Sequence, residues 1–171
     1  TINVSSPNTP GLREFQLKSK LEPLLKKISS IREKFCKEYK RNIPLVIKIS
    51  PDLNKLDLKN IALLSIKYNL QAIIATNTSI NKKLKDDHSI FNLKGGVSGK
   101  LLLKESNKIL KILNKFTKGK IQIIGVGGID SAESVLDKFE NGASAIQLYS
   151  SLVYNGLSLI ERILYDLIKI I

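Results

Sequence analysis

The sequence predicts an α/β chain with parallel strands, wound as part of a (β/α)8 TIM barrel. Three observations predict this. Five short apolar runs alternate with amphipathic helical stretches through the 171 residues. Each run is rich in β-branched residues and mostly continuous, the pattern of a strand covered on both faces. Each run is also followed by a polar or glycine-rich turn. A doubly wound sheet concentrates such turns at its switch point, whereas a barrel collects them from many strand ends around one mouth.

The strands are expected at Ile2–Val4, Leu45–Ile49, Ala72–Ala75, Ile121–Val126 and Ala145–Leu148. Between the first two, Leu21, Leu24, Leu25, Ile28, Ile31 and Phe35 form a helical stripe, with Pro23 tolerated if it falls in the first turn. Leu58, Ile61, Ala62, Ser65 and Tyr68 mark a second helix. Ile109, Leu110, Ile112, Leu113 and Phe116 mark a third, closed by Gly119. A fourth carries Ala132, Val135, Leu136 and Phe139, capped by Asp130 or Ser131 and ended by Gly142. The last runs from Leu157 to Ile171. The turns read SSPNTPG, SPDLN, TNTS, GGIDS and YSSLVYNG, with a further loop KGGVSGK after the third strand. A barrel of this kind has eight strands. Five strands thus correspond to strands 4 to 8, and the front of the fold is expected to lie outside these residues.

Composition narrows the function. The chain carries 28 Lys and Arg against 15 Asp and Glu, a formal charge of +13. That excess suits a nucleic acid, an anionic cofactor or an acidic membrane surface. Its lysines are scattered over polar helix faces, however, with no clustered basic groove and no aromatic platform, so no nucleic-acid partner is expected. A single cysteine, Cys36, excludes an internal disulfide and a cysteine-based metal cluster. A single histidine, His88, argues against a Ser-His-Asp triad or a two-histidine metal site, and its polar surroundings predict a solvent-facing loop residue. No run reaches the roughly 18 apolar residues of a membrane span, and no signal peptide begins the chain.

Several residues invite chemistry. Lys48 interrupts the apolar run LVIKIS, where a covered strand does not tolerate an unpaired ammonium; an edge or surface lysine is the alternative. GVGGIDSAE suggests a phosphate cradle, because glycines let backbone amides approach an anion at the start of the helix that follows. GGVSGK lacks the complete G-x-x-x-x-G-K-[ST] nucleotide loop, and Lys100 is assigned to solvent. By spacing alone, Ser5, Ser6 and Thr9 read more simply as turn caps than as catalytic groups, and Asn77–Thr78 as a turn.

Taken in order, these segments resemble the dihydroorotate dehydrogenase family, in its quinone-reducing, membrane-associated class 2. The resemblance is carried by INVSSPNTPGLR at 2–13, LVIKISPDL at 45–53, ATNTS at 75–79, GGVSGK at 95–100, IIGVGGIDSAE at 123–133 and GASAIQLYSSLVYNG at 142–156. The lysine and asparagine content is similar to apicomplexan versions. The resemblance implies the C-terminal portion of an FMN-binding barrel, without the first strands and without the helices that guide quinone. It implies oxidation of (S)-dihydroorotate to orotate, FMN as hydride acceptor and ubiquinone as final electron acceptor, at the mitochondrial inner membrane. The missing N-terminal part of the barrel becomes a structural partner, and the 171 residues alone are expected to be inactive.

Site residues follow from the same resemblance. Ser6 becomes the base, where the cytosolic class carries cysteine, and Pro7, Pro10 and Gly11 belong to a loop that closes over substrate. Asn3, Asn8, Asn77 and Thr78 become ligands of the orotate ring and carboxylate. FMN contacts fall on Asn3, Lys48, Thr76, Ser98 and Gly99, with its phosphate at Gly127, Gly128, Tyr149 and Ser150. No metal is implied. Another FMN-dependent barrel oxidoreductase, or a non-catalytic fragment or pseudoenzyme with a binding role, is the alternative reading.

Overall fold

A computed structural model describes residues 1–81, 83–84 and 95–170. His88 lies outside them. Five strands form one sheet: β1 (Ile2–Asn3), β2 (Val46–Ile49), β3 (Ala72–Ala75), β4 (Gln122–Val126) and β5 (Ala145–Gln147). All four pairings are parallel, and the strands lie side by side in chain order. A doubly wound sheet reverses its strand order at the switch point; sequential order in one direction is the winding of a barrel.

The helices are α1 (Lys18–Tyr39), α2 (Lys55–Lys67), α3 (Leu103–Thr117), α4 (Ala132–Glu140), α5 (Ser150–Asn155) and α6 (Ser158–Ile170). Short 3-10 turns at Leu12–Gln16 and Gly99–Leu102 precede α1 and α3. Asn54 caps α2 by accepting the Asp57 N–H, and Ser131 caps α4 in a reciprocal pair with Ser134. Among the described residues, no helix is long and apolar enough to cross a membrane.

Parallel register puts Ile49, Ala75, Gly125 and Ile146 in one row and Lys48, Ile74, Ile124 and Ala145 in the next. Successive residues of a strand face opposite sides, so the two rows belong to opposite faces. Ile47, Ile49, Ile73, Ala75 and Ile123 pack with Leu21, Leu25, Leu58, Ile61, Leu110 and Leu113 of the first three helices. Ile146 joins Val135, Leu159 and Ile163 of α4 and α6. The helices therefore cover one face only. This corrects the expectation of strands covered on both sides: only β3 is buried along its whole length, and its neighbours alternate. Ile74, Ile124 and Val126 made the runs look continuous because the face turned away from the helices is itself partly apolar.

Other departures are local. In α1 the buried positions are Leu21, Leu25 and Ser29, while Ile31 and Phe35 are exposed, so the buried stripe stops after two turns. Pro23 sits inside α1, past the first turn, on an exposed face where water can satisfy the carbonyl left without an N–H partner. The segment after β5, read as a turn, folds into α5.

Candidate active site

The turns following β1, β3, β4 and β5 open into one cleft of about 560 Å³. Ser6 reaches it from the β1 turn, Thr76, Asn77 and Thr78 from the β3 turn, and Gly127 and Gly128 from the β4 turn. Tyr149 and Ser150 close it from the end of β5, Ser98 and Gly99 from the loop before α3, and Asn3 and Lys48 from β1 and β2 themselves. Of the thirteen residues singled out in the sequence, only Asn8 does not line it. Asn8 instead lies beside Gly95, and its N–H donates to Ser6 Oγ at 3.2 Å.

The amides are organised before any ligand arrives. Asn3 Oδ1 accepts from the Ser5 N–H at 3.2 Å and the Ser5 hydroxyl at 2.8 Å. Asn77 Nδ2 donates to Ser5 Oγ at 3.0 Å, and its Oδ1 accepts the Thr78 N–H at 2.8 Å. These bonds tie the ends of β1 and β3 together across β2. Asn3 Nδ2 keeps both its N–H groups for the cleft, since no described residue accepts from them. Thr76 is buried and spends its hydroxyl on the Asn77 carbonyl at 2.9 Å, so its part in the cleft is shape and backbone.

Lys48 is half-buried, in register between Asn3 and Ile74 on the face the helices do not cover. Among the described residues its ammonium has no hydrogen-bond or ion-pair partner. The surface or edge alternative is set aside by position, since β2 is an inner strand and Lys48 points into the cleft. Lys100 is largely solvent-exposed, with a long 3.8 Å approach to Asp130 at the cleft margin.

Two glycines are dictated by close approach. A Cβ on Gly96 would stand 2.1 Å from Thr78 Oγ1, so the loop before α3 lies directly against the β3 turn. Gly128 has φ +79, and a Cβ there would stand 2.5 to 2.7 Å from Leu103, including its backbone. The β4 turn is thus pressed onto the start of α3. Ser150 Oγ donates to Ser98 Oγ at 2.9 Å and joins that loop to the end of β5.

Two features escaped the sequence. Arg13 donates from Nε to the Ser5 carbonyl at 3.0 Å, from one terminal nitrogen to Asp52 Oδ2 at 2.7 Å and from the other to the Thr78 carbonyl at 2.9 Å. Asp52 also accepts from the Ser79 hydroxyl and, at 2.9 Å, from the Ile80 N–H. One guanidinium therefore locks the turns after β1, β2 and β3, which carry Ser6, Asn77 and Thr78. Lysine has no planar fork with which to do this. Arg13→Lys is expected to lower the unfolding free energy by about 1.5–3 kcal/mol, the range for hydrogen bonds to charged groups, measured by urea denaturation.

Lys138 of α4 is the other. It is wholly buried, 0 % exposed, and its ammonium donates to Ser106 Oγ of α3. Desolvation pushes its pKa down from the ordinary 10.5 to about 8, against a smaller upward pull from Asp137. Between about 8 and 10.5 the unfolded chain binds the proton that the folded chain has lost, so stability rises with pH across that window. The urea midpoint of the wild type is expected to gain more between about pH 7.5 and about pH 9.5 than that of Lys138→Met. Its signal was available: Lys138 follows Val135 by three residues and Ala132 by six, on the core side of α4.

Sequential parallel strands, helices on one face and a polar cleft at the C-terminal strand ends define part of a β/α barrel of the enzyme type. The chain belongs to the dihydroorotate dehydrogenase family, whose model matches residues 1–171. It is 43% identical over 164 residues to a dihydroorotate dehydrogenase (quinone) of Wigglesworthia glossinidia brevipalpis, covering 96% of this chain and 49% of that protein. Identity is 40% over 167 residues to one of Legionella pneumophila, covering 98% and 50%. The ligand-free DHODH of Eimeria tenella superposes with TM-score 0.89 at 31% identity, over 99% of this chain and 50% of that one. The same enzyme in complex with ferulenol gives 0.88 at 30%, over 99% and 49%. These relatives are of the quinone-dependent class, and the solved structures are apicomplexan, as the motifs and composition predict. The chain spans about half the length of the relatives it matches.

Proposed function

We propose that these residues are strands 4 to 8 of an FMN-binding barrel and that the intact protein oxidises (S)-dihydroorotate to orotate, passing electrons to ubiquinone in pyrimidine biosynthesis. The observation that carries this reading is convergence: a hydroxyl, carboxamides, an unpaired ammonium and a glycine turn, drawn from four adjacent strands and their turns, face one cleft.

The cleft fits a flavin nucleotide in size and chemistry. Its volume lies within the range of pockets that enclose small organic ligands. Leu102, Val126 and Leu148 supply apolar wall, Lys48 a cation, and the Gly127–Gly128 turn backbone amides for a phosphate. Lys48, Thr76, Ser98 and Gly99 would hold the ring system, with Gly127, Gly128, Tyr149 and Ser150 at the phosphate end. FMN, when bound, supplies the acceptor for the hydride.

The chain supplies the proton transfer. Asn3, Asn77 and Thr78 hold the pyrimidine ring and its carboxylate, and Ser6 takes the proton from the carbon beside the carbonyl. Serine is a weak base at its ordinary pKa. The Asn8 N–H on Ser6 Oγ stabilises the alkoxide left when the hydroxyl proton passes to water, and that alkoxide then accepts the substrate proton, so the turn-capping bond and the catalytic role are compatible. Asn8 then serves through its backbone N–H. The quinone in the relatives' names supports ubiquinone as the final acceptor. The mitochondrial inner membrane is the setting that the family resemblance proposes.

The test is anaerobic mixing of the purified, intact FMN-loaded protein with dihydroorotate and with a panel of other reductants. Stoichiometric bleaching of the flavin by dihydroorotate is expected. Bleaching by another substrate alone would instead assign a different FMN-dependent barrel oxidoreductase.

A further inference from the structure

Among the described residues, Lys138 is the one charged side chain that is wholly buried, and the proposed reaction does not use it. Ordinarily such a cation is matched by a carboxylate. Here no carboxylate among the described residues lies within ion-pair distance, and Asp137, its exposed neighbour on α4, is the charge that acts on it. From α3 it meets the neutral Ser106 hydroxyl, and its methylene stem runs past Gly125 of β4, where a Cβ would stand 3.1 Å from Lys138 Cδ.

Ser106 connects this buried charge to the cleft. Its single hydroxyl proton is within reach of two carbonyls, Leu103 at 3.0 Å and Gly127 at 3.1 Å. A hydroxyl that accepts from an ammonium is polarised into a stronger donor. The Gly127 carbonyl is thereby held toward the seam between α3 and α4. Because the Gly127–Gly128 peptide is planar and trans, the Gly128 N–H must point the opposite way, out of the seam. Both glycines line the cleft. The pressure of Leu103 against Gly128 leaves this peptide little room to turn over.

We propose that Lys138, acting through Ser106, is a positioning residue for the phosphate of the flavin nucleotide: it aims the Gly128 amide at the cleft and places a positive charge beneath it. This rests on the functional reading above. The buried charge, unfavourable while unmatched, gains its counter-charge when a phosphate occupies the rim. Lys138 touches neither substrate nor ring, so its contribution is specific to the phosphate.

Comparison of FMN with riboflavin, the same ring system without the phosphate, isolates that contribution. Dissociation constants of both are measured by flavin fluorescence quenching on the intact apoprotein for wild type, Lys138→Met and Ser106→Ala. Lys138→Met is expected to weaken FMN by about tenfold or more, the loss of one modest charge interaction, and to leave riboflavin within about twofold. Ser106→Ala is expected to act in the same direction to a smaller extent, and it keeps the test decisive if Lys138→Met does not fold. Equal weakening of FMN and riboflavin, or no weakening of FMN in the folded variants, would overturn the proposal while leaving the function intact. A wild-type protein that binds neither flavin would instead remove the functional reading itself.

Discussion

Ser6→Ala is expected to leave FMN bound and to slow its reduction by dihydroorotate by about 10²- to 10⁴-fold, the usual contribution of a positioned acid or base. The side chain that is lost reaches the cleft but anchors little of the fold. Its only hydrogen bond among the described residues is the one it accepts from the Asn8 N–H. Asn3, Ser5 and Asn77 bond to one another and not to Ser6, so the proposed substrate ligands Asn3 and Asn77 should keep their places. The loss should therefore fall on the rate of anaerobic bleaching in rapid mixing, with the dissociation constant for orotate nearly unchanged. Ser6→Cys tests the same point from the other side, since thiolate forms more readily than alkoxide, and activity persisting with an altered pH profile would be consistent with a base at this position.

Lys48→Met is expected to have a comparable effect for a different reason. Methionine preserves length and removes the charge. Lys48 is anchored in an inner strand, and its ammonium has no partner among the described residues, so that charge is held ready for a ligand. A preorganised cation facing a site where negative charge accumulates contributes most to the rate, with losses on the order of 10²- to 10³-fold when such a donor is removed. The flavin midpoint potential should also become more negative in Lys48→Met. It should stay unchanged in Ser6→Ala, which separates the electrostatic role from proton transfer. A Lys48→Met protein with the wild-type potential would show that the ammonium does not face the ring.

Much of this was legible in the sequence because the relevant signals are local. β-branched runs fix the strands to within a residue or two at each end, and Ser131 and Gly142 punctuate α4 through caps and turns. Many of the site residues sit directly after strands, so alternation alone brings those to one rim. What escaped depends on distance along the chain or on burial that contradicts residue type. Arg13 meets Asp52 and Thr78 across 39 and 65 residues, and nothing in its own neighbourhood announces those partners. Lys138 runs against its residue type, since lysine is ordinarily a solvent residue, and its partner Ser106 belongs to another helix. α5 was hidden for the opposite reason: serines, Asn155 and Gly156 look like a turn, yet Leu152 packs against the cluster around Ile163 and holds the segment helical.

The most direct test of convergence is a crystal structure of the intact protein with FMN and orotate bound. The account predicts a single flavin whose phosphate contacts the Gly127–Gly128 amides, whose ring contacts Lys48, and whose neighbouring orotate lies against Asn3, Asn77 and Ser6. A flavin bound elsewhere, or one that meets Gly127 while Lys48 and Ser6 face separate space, would contradict it.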